Sequence, residues 1–300
     1  MVSDKDLECY RKAGGIVGEI RKAVPDLVQE GTKVVDICER VESMILRLGG
    51  KPAFPCNVGV NEVAAHYTSP FGDISHIPKG AIVKVDFGAH VDGFIADSAI
   101  TISLNPRLIP MVLSAEEALR KALEIVRPGV RASEIGALIQ DAIERRGFRP
   151  IWNLTGHVIE RYIIHTGESI PNVARMRGGK LREGQICAVE PFVTSTSAKG
   201  EVRDSDKAYI FRFSRKKGAS TAEGKRLVEH IEREFRTLPF AERWLSKVDS
   251  VRNVDAAFDE LIRSKCVLGY PVLVERSGEP VAQAEHTVLI TEDGYENLTA

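Results

Sequence analysis

Two apolar, strand-like runs that each contain one aspartate constrain the fold of this chain more than any other feature. Residues 82–87 and 94–100 are rich in β-branched and aromatic side chains, and residues 90–93 join them. Such runs, joined by a segment that contains Asp-Gly, predict an antiparallel hairpin. Asp86 and Asp97 interrupt the two runs, where an unpaired carboxylate is costly to bury. The fold must therefore give both carboxylates a partner.

The spacing of the two aspartates predicts that they lie close together. If the hairpin turns between Val91 and Asp92, Asp86 and Asp97 face each other directly, with their Cβ atoms about 4.5–5.5 Å apart. Two buried carboxylates at that distance repel, and one of them is pushed toward its protonated form. A divalent cation between them removes the conflict. The pair taken alone leaves a metal site and a structural arrangement both open, so further ligands are needed.

Three more residues extend the candidate ligand set. Glu190 and Glu285 are again lone carboxylates in apolar, strand-like runs, and His157 follows a glycine. A lone histidine in such a place is more often structural than a ligand. Together, however, four carboxylates and one imidazole form a hard, oxygen-rich set whose formal charge of about minus four matches two divalent ions. This set is natural for a binuclear hydrolase.

Hydrophobic periodicity predicts the helices of the first half of the chain. Two amphipathic helices fill the first fifty residues, the first ended by Pro25 and the second by the Gly49-Gly50 pair. Two further helices are expected near 114–127 and 132–146.

The second half of the chain predicts an interruption of one catalytic domain. Strand-like sequence fills residues 150–194 and returns at 272–274 and 281–290, whereas the intervening sequence is charged and helix-forming. Suspect carboxylates lie in strands on both sides of this charged segment, so we interpret it as an insertion. The predicted division is a catalytic domain of residues 1–197 and 269–300 and a helical insertion of residues 198–268.

Composition excludes several other classes of protein. Lysine plus arginine (41) nearly balances aspartate plus glutamate (42), so no strong field favours nucleic acid or an acidic membrane. The N-terminus is polar, and no apolar run approaches the roughly 18–20 residues that span a bilayer. We therefore expect a soluble, intracellular protein. The five cysteines are scattered and never spaced as C-x-x-C, which argues against a disulfide framework and a structural zinc site.

In its motifs the chain resembles the methionine aminopeptidase family, in the type 2 branch of archaea and eukaryotes. The similarity runs in order from residue 5 to residue 290, and a motif of the charged segment is characteristic of type 2 rather than type 1. The motifs are KPAFP (51–55), NEVAAHYT (61–68), VDFG (85–88) with DGFIAD (92–97), GHVIERY (156–162), IH (164–165) with SIPN (169–172), EPF (190–192), LPF (238–240) with RWL (243–245), and AQAEHT (282–287).

The resemblance implies a pita-bread fold of the α+β class, with two pseudo-symmetric halves around a curved antiparallel sheet and two divalent metal ions at its centre. By analogy, Asp86 binds one ion through both oxygens, Asp97 and Glu285 bridge both ions, and His157 and Glu190 complete the other. The identity of the ions (Co, Mn, Fe(II) or Zn) stays open. Ala284 departs from the family pattern, which commonly has an aromatic residue there, and we expect only a packing change.

The resemblance also implies a reaction and a substrate. The expected activity is removal of the initiator methionine from nascent polypeptides whose second residue is small. Glu190 would carry a proton as well as bind metal, and His66 and His165 would face the scissile peptide. The expected methionine pocket is lined by Phe54, Ile164, His165, Phe192 and Tyr270. The family further implies a cytoplasmic monomer that binds neither membranes nor a specific nucleic acid.

Two alternatives are weighed against this interpretation. An X-Pro dipeptidase or creatinase-like relative would share the fold, but prolidases carry a longer N-terminal domain and lack the type 2 insertion. A catalytically dead relative that binds RNA or ribosomes would lose metal ligands and gain basic tails, whereas this chain keeps all five ligand positions. The basic run at 212–217 leaves a transient ribosome contact open, with an ordinary solvated surface favoured.

Overall fold

The computed structural model describes residues 3–176, 178–248 and 250–300. Its helices are α1 (Asp4–Leu27), α2 (Val34–Arg47), α3 (Ile109–Leu123), α4 (Ala132–Arg145), α5 (Ala222–Phe235) and α6 (Val254–Arg263), with short 3-10 helices at Pro106–Leu108 and Glu242–Lys247. Its strands are β1 (Lys51–Pro52), β2 (Asn57–Val60), β3 (Val63–Ala65), β4 (Ile82–Val91), β5 (Phe94–Ser103), β6 (Phe148–Pro150), β7 (Thr155–Ile159), β8 (Ser169–Pro171), β9 (Ile186–Val189), β10 (Phe192–Ser195), β11 (Val202–Phe213), β12 (Phe240–Ala241), β13 (Val267–Glu275), β14 (Val281–Gln283), β15 (His286–Ile290) and β16 (Tyr295–Asn297).

Two helix pairs each cover antiparallel strands. Helices α1 and α2 bury their apolar faces against β4 and β5. Helices α3 and α4 pack in the same way against β9, β10, β14 and β15. Each amphipathic helix places its charged face in solvent, which is why the 3.6-residue pattern indicated all four helices. Helix α3 begins five residues and ends four residues before the predicted range of 114–127. The combination of antiparallel sheets with segregated helices confirms the predicted α+β class.

Helix α1 docks closely on the C-terminal end of the chain. Ser3 and Asp6 form a capping box at its start. Gly14 makes the close approach feasible, because a Cβ there would overlap the carbonyl oxygen of Leu298. The helix continues through Pro25 to Leu27, so the predicted stop at Pro25 is wrong by two residues. Because Val24 and Val28 are buried, packing holds this last turn despite the missing amide donor.

The β4–β5 hairpin has a two-residue loop, Asp92-Gly93, with φ of 52° and 87°. A loop of this kind twists in the same sense as its strands, which makes Asp-Gly a favoured pair. The loop sets the register, in which Asp86 lies opposite Ala99 and Asp97 lies opposite Gly88. The predicted direct pairing of Asp86 with Asp97 is therefore wrong by two residues. The two aspartates are diagonal neighbours on one face of the hairpin instead.

Residues 202–275 differ from the expected helix-forming sequence. The segment begins with the twelve-residue strand β11, which pairs with β13, and α5 and α6 pack beside it around a hydrophobic cluster of their own. Several charged residues of β11 are exposed. Because of these charges, the sequence pattern predicted a helix where the structure has a strand. Strand β13 also pairs with β3. The division into domains 1–197 with 269–300 and 198–268 stays a prediction, and its second boundary falls within β13.

A buried ion pair joins this segment to α2. Arg243 donates to the Glu42 carboxylate and, at 2.8 Å, to the Thr68 hydroxyl. Trp244 donates its indole N–H to the other Glu42 oxygen at 2.9 Å. A buried pair with these additional hydrogen bonds fixes relative position, because neither charge can be left unpaired cheaply. Within the described residues, no helix is long and apolar enough to cross a bilayer.

Candidate metal centre

The β4–β5 hairpin contributes two carboxylates to one cavity. Asp86 and Asp97 lie on the same face of the hairpin, and both line a cavity of about 360 Å³. The Thr287 side chain holds the backbone of Asp97, accepting from its amide and donating to its carbonyl at 2.8 Å each. These bonds fix the direction in which the Asp97 carboxylate points.

Glu190 and Glu285 lie at strand breaks rather than within strands. Glu190 follows β9 and precedes β10, and Glu285 lies between β14 and β15. Because β9 pairs with β15 and β10 pairs with β14, the two breaks face each other where the chain passes from one sheet to the next. The break frees both side chains from the regular alternation of a strand. Ala284 is buried in the hydrophobic cluster that also contains residues of α3 and α4.

His157 on β7 brings its imidazole to the carboxylates. Its Nε2 atom lies 3.6 Å from Asp97 Oδ2 and 3.6 Å from Glu190 Oε1. One ligand atom each from Asp97, His157 and Glu285 lie within 4.8 Å of one another, and all three residues are buried. The five residues predicted as ligands therefore converge at one end of the cavity.

Burial and mutual repulsion change the acidity of every group in this cluster. Burial raises the pKa of Asp86 to about 7. Burial, followed by repulsion from neighbouring carboxylates, raises the pKa of Asp97, Glu190 and Glu285 well above the usual range. Burial lowers the pKa of His157 well below its usual value. Without a counter-charge the cluster thus favours its neutral forms.

The donor atoms fit divalent metal ions. Asp86 Oδ1, Asp97 Oδ1 and Glu285 Oε1 are buried and have no hydrogen-bond partner among the described residues. Buried oxygens without partners are rare and call for an explanation. Carboxylate oxygens together with a neutral imidazole are ligands that Mn, Fe(II), Co and Zn accept. A cation at this position would satisfy the orphaned oxygens and the excess of negative charge together.

Sequence reasoning missed the residues that support the ligands. Gln283 donates to Glu190 at 3.2 Å and to Glu285 at 3.4 Å. Lys84, fully buried on the same strand face as Asp86, donates to the carbonyl oxygens of Asn61 and Val281 at 2.9 and 2.8 Å. The signal for Gln283 was its two-residue spacing from Glu285. Lys84 gave a signal as well, since it is a charge inside an apolar strand.

The rest of the cavity contains every other residue predicted for the site. Phe54, Ile164 and Phe192 form a buried apolar wall, and Gly88 makes room for the Phe54 ring, which a Cβ at that position would overlap. The complete set of predicted residues that line the cavity is Phe54, His66, Asp86, Asp97, His157, Ile164, His165, Glu190, Phe192, Tyr270 and Glu285. Asn57, Leu154 and Leu273 also line it and were not predicted.

His66 and His165 lie beside the ligand cluster as neutral rings. The His165 ring centroid lies 4.3 Å from that of His157, and burial lowers the pKa of His165 to about 4. Burial also lowers the pKa of His66, whose Nδ1 lies 3.1 Å from the carbonyl oxygen of Pro271. Because that carbonyl can only accept, Nδ1 carries the proton, and Nε2 is left as an acceptor. The cavity thus combines a carboxylate-rich end with neutral hydrogen-bonding groups and an apolar wall.

Known proteins resemble this chain over nearly its whole length. The chain is 44% identical over 298 residues to the methionine aminopeptidase of Methanothermobacter thermautotrophicus, covering 98% of this chain and 99% of that relative. Among solved structures, a thermophilic Arx1 matches with a TM-score of 0.83 and 19% identity, covering 99% of this chain and 91% of that one. The methionine aminopeptidase of Thermotoga maritima matches with a TM-score of 0.71 and 24% identity, covering 99% and 97%. These likenesses confirm the predicted pita-bread fold.

The family model for metallopeptidase family M24 matches residues 8–292, a range that includes all five residues of the cluster. An archaeal relative at 44% identity also fits the predicted type 2 branch. The chain therefore belongs to metallopeptidase family M24, within the methionine aminopeptidases.

Proposed function

We propose that this chain removes the N-terminal methionine from polypeptides whose second residue is small, by hydrolysis at a two-metal centre. The observation that carries the proposal is the convergence of four buried or partly buried carboxylates and one buried imidazole in an apolar-walled cavity, where three of the carboxylate oxygens have no described partner. The 44% identity to a methionine aminopeptidase supports the choice of substrate.

Asp86, Asp97, His157, Glu190 and Glu285 would hold the two ions. When bound, divalent ions acidify water and polarise the substrate carbonyl. The protein's part is to supply a dry cavity and a fixed set of ligands. Gln283 serves this purpose, because its amide bonds to Glu190 and Glu285 at once and limits their rotation.

Glu190 is the proposed proton carrier. As a carboxylate beside the cluster, it can accept a proton from the attacking water and release it to the leaving amine. Asn172 donates to the Glu190 carbonyl at 3.0 Å and so fixes the backbone that carries this side chain. Glu190 therefore combines a mobile proton with a fixed position.

The two neutral histidines are the proposed contacts to the scissile peptide. Nε2 of His66 is an acceptor and suits the peptide N–H. His165, neutral because of its low pKa, donates to the carbonyl oxygen, and this bond strengthens as negative charge develops there. Neither side chain needs to change its protonation state near pH 7.

The shape of the cavity accounts for the proposed specificity. The side chain of methionine fits the apolar wall of Phe54, Ile164 and Phe192, closed by Tyr270. The positively charged amino terminus of a peptide suits the carboxylate-rich end of the cavity. This preference explains why the proposed enzyme would cleave only the first peptide bond. Its substrates would be nascent polypeptides, which are made in the cytoplasm. The protein would act there as a monomer and contact the ribosome only transiently.

A peptide panel tests this specificity. We expect free methionine from Met-Gly-Met-Met and Met-Ala-Ser, with kcat/KM at least about 100-fold higher than for Met-Leu-Ser, because the second side chain must fit a space of fixed width. An N-acetylated Met-Ala-Ser should not react, since it lacks the free amine. Cleavage of an X-Pro dipeptide in preference to these peptides would instead assign the chain a prolidase activity.

A further inference from the structure

Arg21 of α1 reaches the backbone of two of the proposed ligands from behind. A single guanidinium nitrogen, Nη1, donates to the Ser98 hydroxyl, to the Ala99 carbonyl at 3.2 Å and to the Glu285 carbonyl at 3.0 Å. Ser98 and Ala99 directly follow Asp97 on β5. Arg21 therefore bridges β5 and Glu285, which are about 190 residues apart in sequence.

Glu285 lies where regular strand pairing cannot hold it. Strand β14 ends at Gln283 and β15 begins at His286, so Glu285 lies in the break. Its amide donates to Ala99 at 3.1 Å, and its carbonyl accepts from Ser98 Oγ at 2.7 Å and from Arg21. Side chains thus complete the bonding that a continuous ladder would otherwise supply.

The helix that carries Arg21 is rigidly placed. Ile20 and Val24 are fully buried on either side of Arg21, and Gly14 and Gly18 approach the C-terminal backbone closely. A group on a well-packed helix holds its target more accurately than one on a loop. Arg21 also keeps its positive charge on the side of Glu285, where it favours the ionised carboxylate.

We propose that Arg21 is a positioning residue of the metal centre, which holds the backbone of Glu285 against β5 and so keeps the Glu285 and Asp97 carboxylates close enough to serve the same centre. Arg21 does not touch the reacting atoms and acts through Glu285. The inference rests on the proposed metal-binding role of these carboxylates. It concerns affinity for metal and not the identity of the peptide that is cleaved.

Calorimetric titration of the metal-free, full-length protein with Mn²⁺ tests the proposal. In Arg21→Met we expect the Mn²⁺ dissociation constant to rise by about 10–100-fold, as for other residues that orient metal ligands. Arg21→Lys should recover part of the affinity, because an ammonium group can reach one or two of the three acceptors. With saturating Mn²⁺, KM for Met-Ala-Ser should stay near its wild-type value.

Lys22→Met is the matched control, since Lys22 is the next residue, is exposed and pairs with Glu19 alone among the described residues. It should bind Mn²⁺ like the wild type. If Arg21→Met does not fold, Arg21→Lys carries the test, and Ser98→Ala, which removes an Arg21 partner and a donor to the Glu285 carbonyl, should weaken Mn²⁺ binding in the same direction. Folded variants at both positions that bind Mn²⁺ with wild-type affinity would overturn the proposal.

The titration separates this inference from the proposed function. Suppose that the wild-type protein binds Mn²⁺ tightly but cleaves no methionine peptide, and that Arg21→Met binds Mn²⁺ more weakly. This result would contradict the proposed function and support the role of Arg21. A wild-type protein that cleaves methionine peptides, together with an Arg21→Met variant that binds Mn²⁺ as tightly as the wild type, would support the proposed function and overturn the role of Arg21.

Discussion

Asp97→Asn is expected to lower kcat/KM for Met-Ala-Ser by about 10³-fold or more. The Asp97 carboxylate lies at the centre of the cluster, 3.6 Å from His157 Nε2, with one oxygen that has no described partner. Asparagine keeps the shape but removes the negative charge and replaces one oxygen with an NH2 group that cannot bind a cation. Bound metal contributes several kcal/mol of transition-state stabilisation, and roughly 4 kcal/mol corresponds to the expected loss. Steady-state rates of methionine release at saturating Mn²⁺ measure it.

Asp92→Asn is the control for this substitution. Asp92 lies on the same hairpin, but its side chain is exposed and pairs with Arg161 at the surface. Surface pairs of this kind contribute about 0–1 kcal/mol, so activity should change less than about twofold. Activity of Asp97→Asn within tenfold of the wild type would contradict a role for Asp97 in the metal centre.

Metal ions are expected to stabilise the protein more strongly at pH 8 than at pH 5. The folded-state pKa of Asp86 is about 7, and those of Asp97, Glu190 and Glu285 are raised as well, whereas unfolded carboxyls titrate near 4. Between these values the metal-free folded protein binds more protons than the unfolded chain, so the contribution of these carboxyls to stability falls as pH rises. Metal binding must displace those protons, and it does so more easily at high pH.

The size of the effect follows from mass action. Free metal at 1,000 times its dissociation constant raises the free energy of unfolding by about 4 kcal/mol. At pH 5 the protonated carboxyls compete, and the increment should be much smaller. The buried histidines have lowered pKa values and act in the opposite direction below about 6.5, so the comparison must be between metal-loaded and metal-free protein at each pH.

Urea unfolding of chelator-treated protein, with and without Mn²⁺, measures this increment at pH 5, 6, 7 and 8. In Asp97→Asn, Mn²⁺ should raise the free energy of unfolding by less than in the wild type at every pH. In Asp92→Asn, Mn²⁺ should raise it by the same amount as in the wild type. An increment that does not depend on pH would show that the buried carboxyls are not where the metal binds.

The sequence predicted elements better than it predicted their pairing. The helices α2 and α4 and the hairpin follow from local periodicity. The register of the hairpin does not, because it depends on the positive φ of Asp92 and Gly93, which moved the turn by one residue from the predicted place. Glu190 and Glu285 were recognisable as lone carboxylates. Their position at facing strand breaks depends on how two sheets meet, which no local pattern contains.

The residues that line the candidate site were predictable from the sequence, but the side chains that hold them in place were not. Asp86, Asp97 and the two glutamates are conspicuous because charge in an apolar run needs a partner, and the family resemblance added the histidines and the apolar wall. Arg21, Lys84 and Gln283 were missed for one reason. Each donates to at least one group that is distant in sequence (264, 197 and 93 residues away, respectively), and such a contact appears only once the chain is folded.

Titration of the metal-free protein with Mn²⁺, Fe(II), Co²⁺ or Zn²⁺, while methionine release from Met-Ala-Ser and bound ions per chain are both measured, tests the central claim most directly. We predict that release is absent in chelator, rises with metal content and reaches its maximum near two ions per chain. No release with any of these ions at full occupancy would contradict a two-metal methionine aminopeptidase.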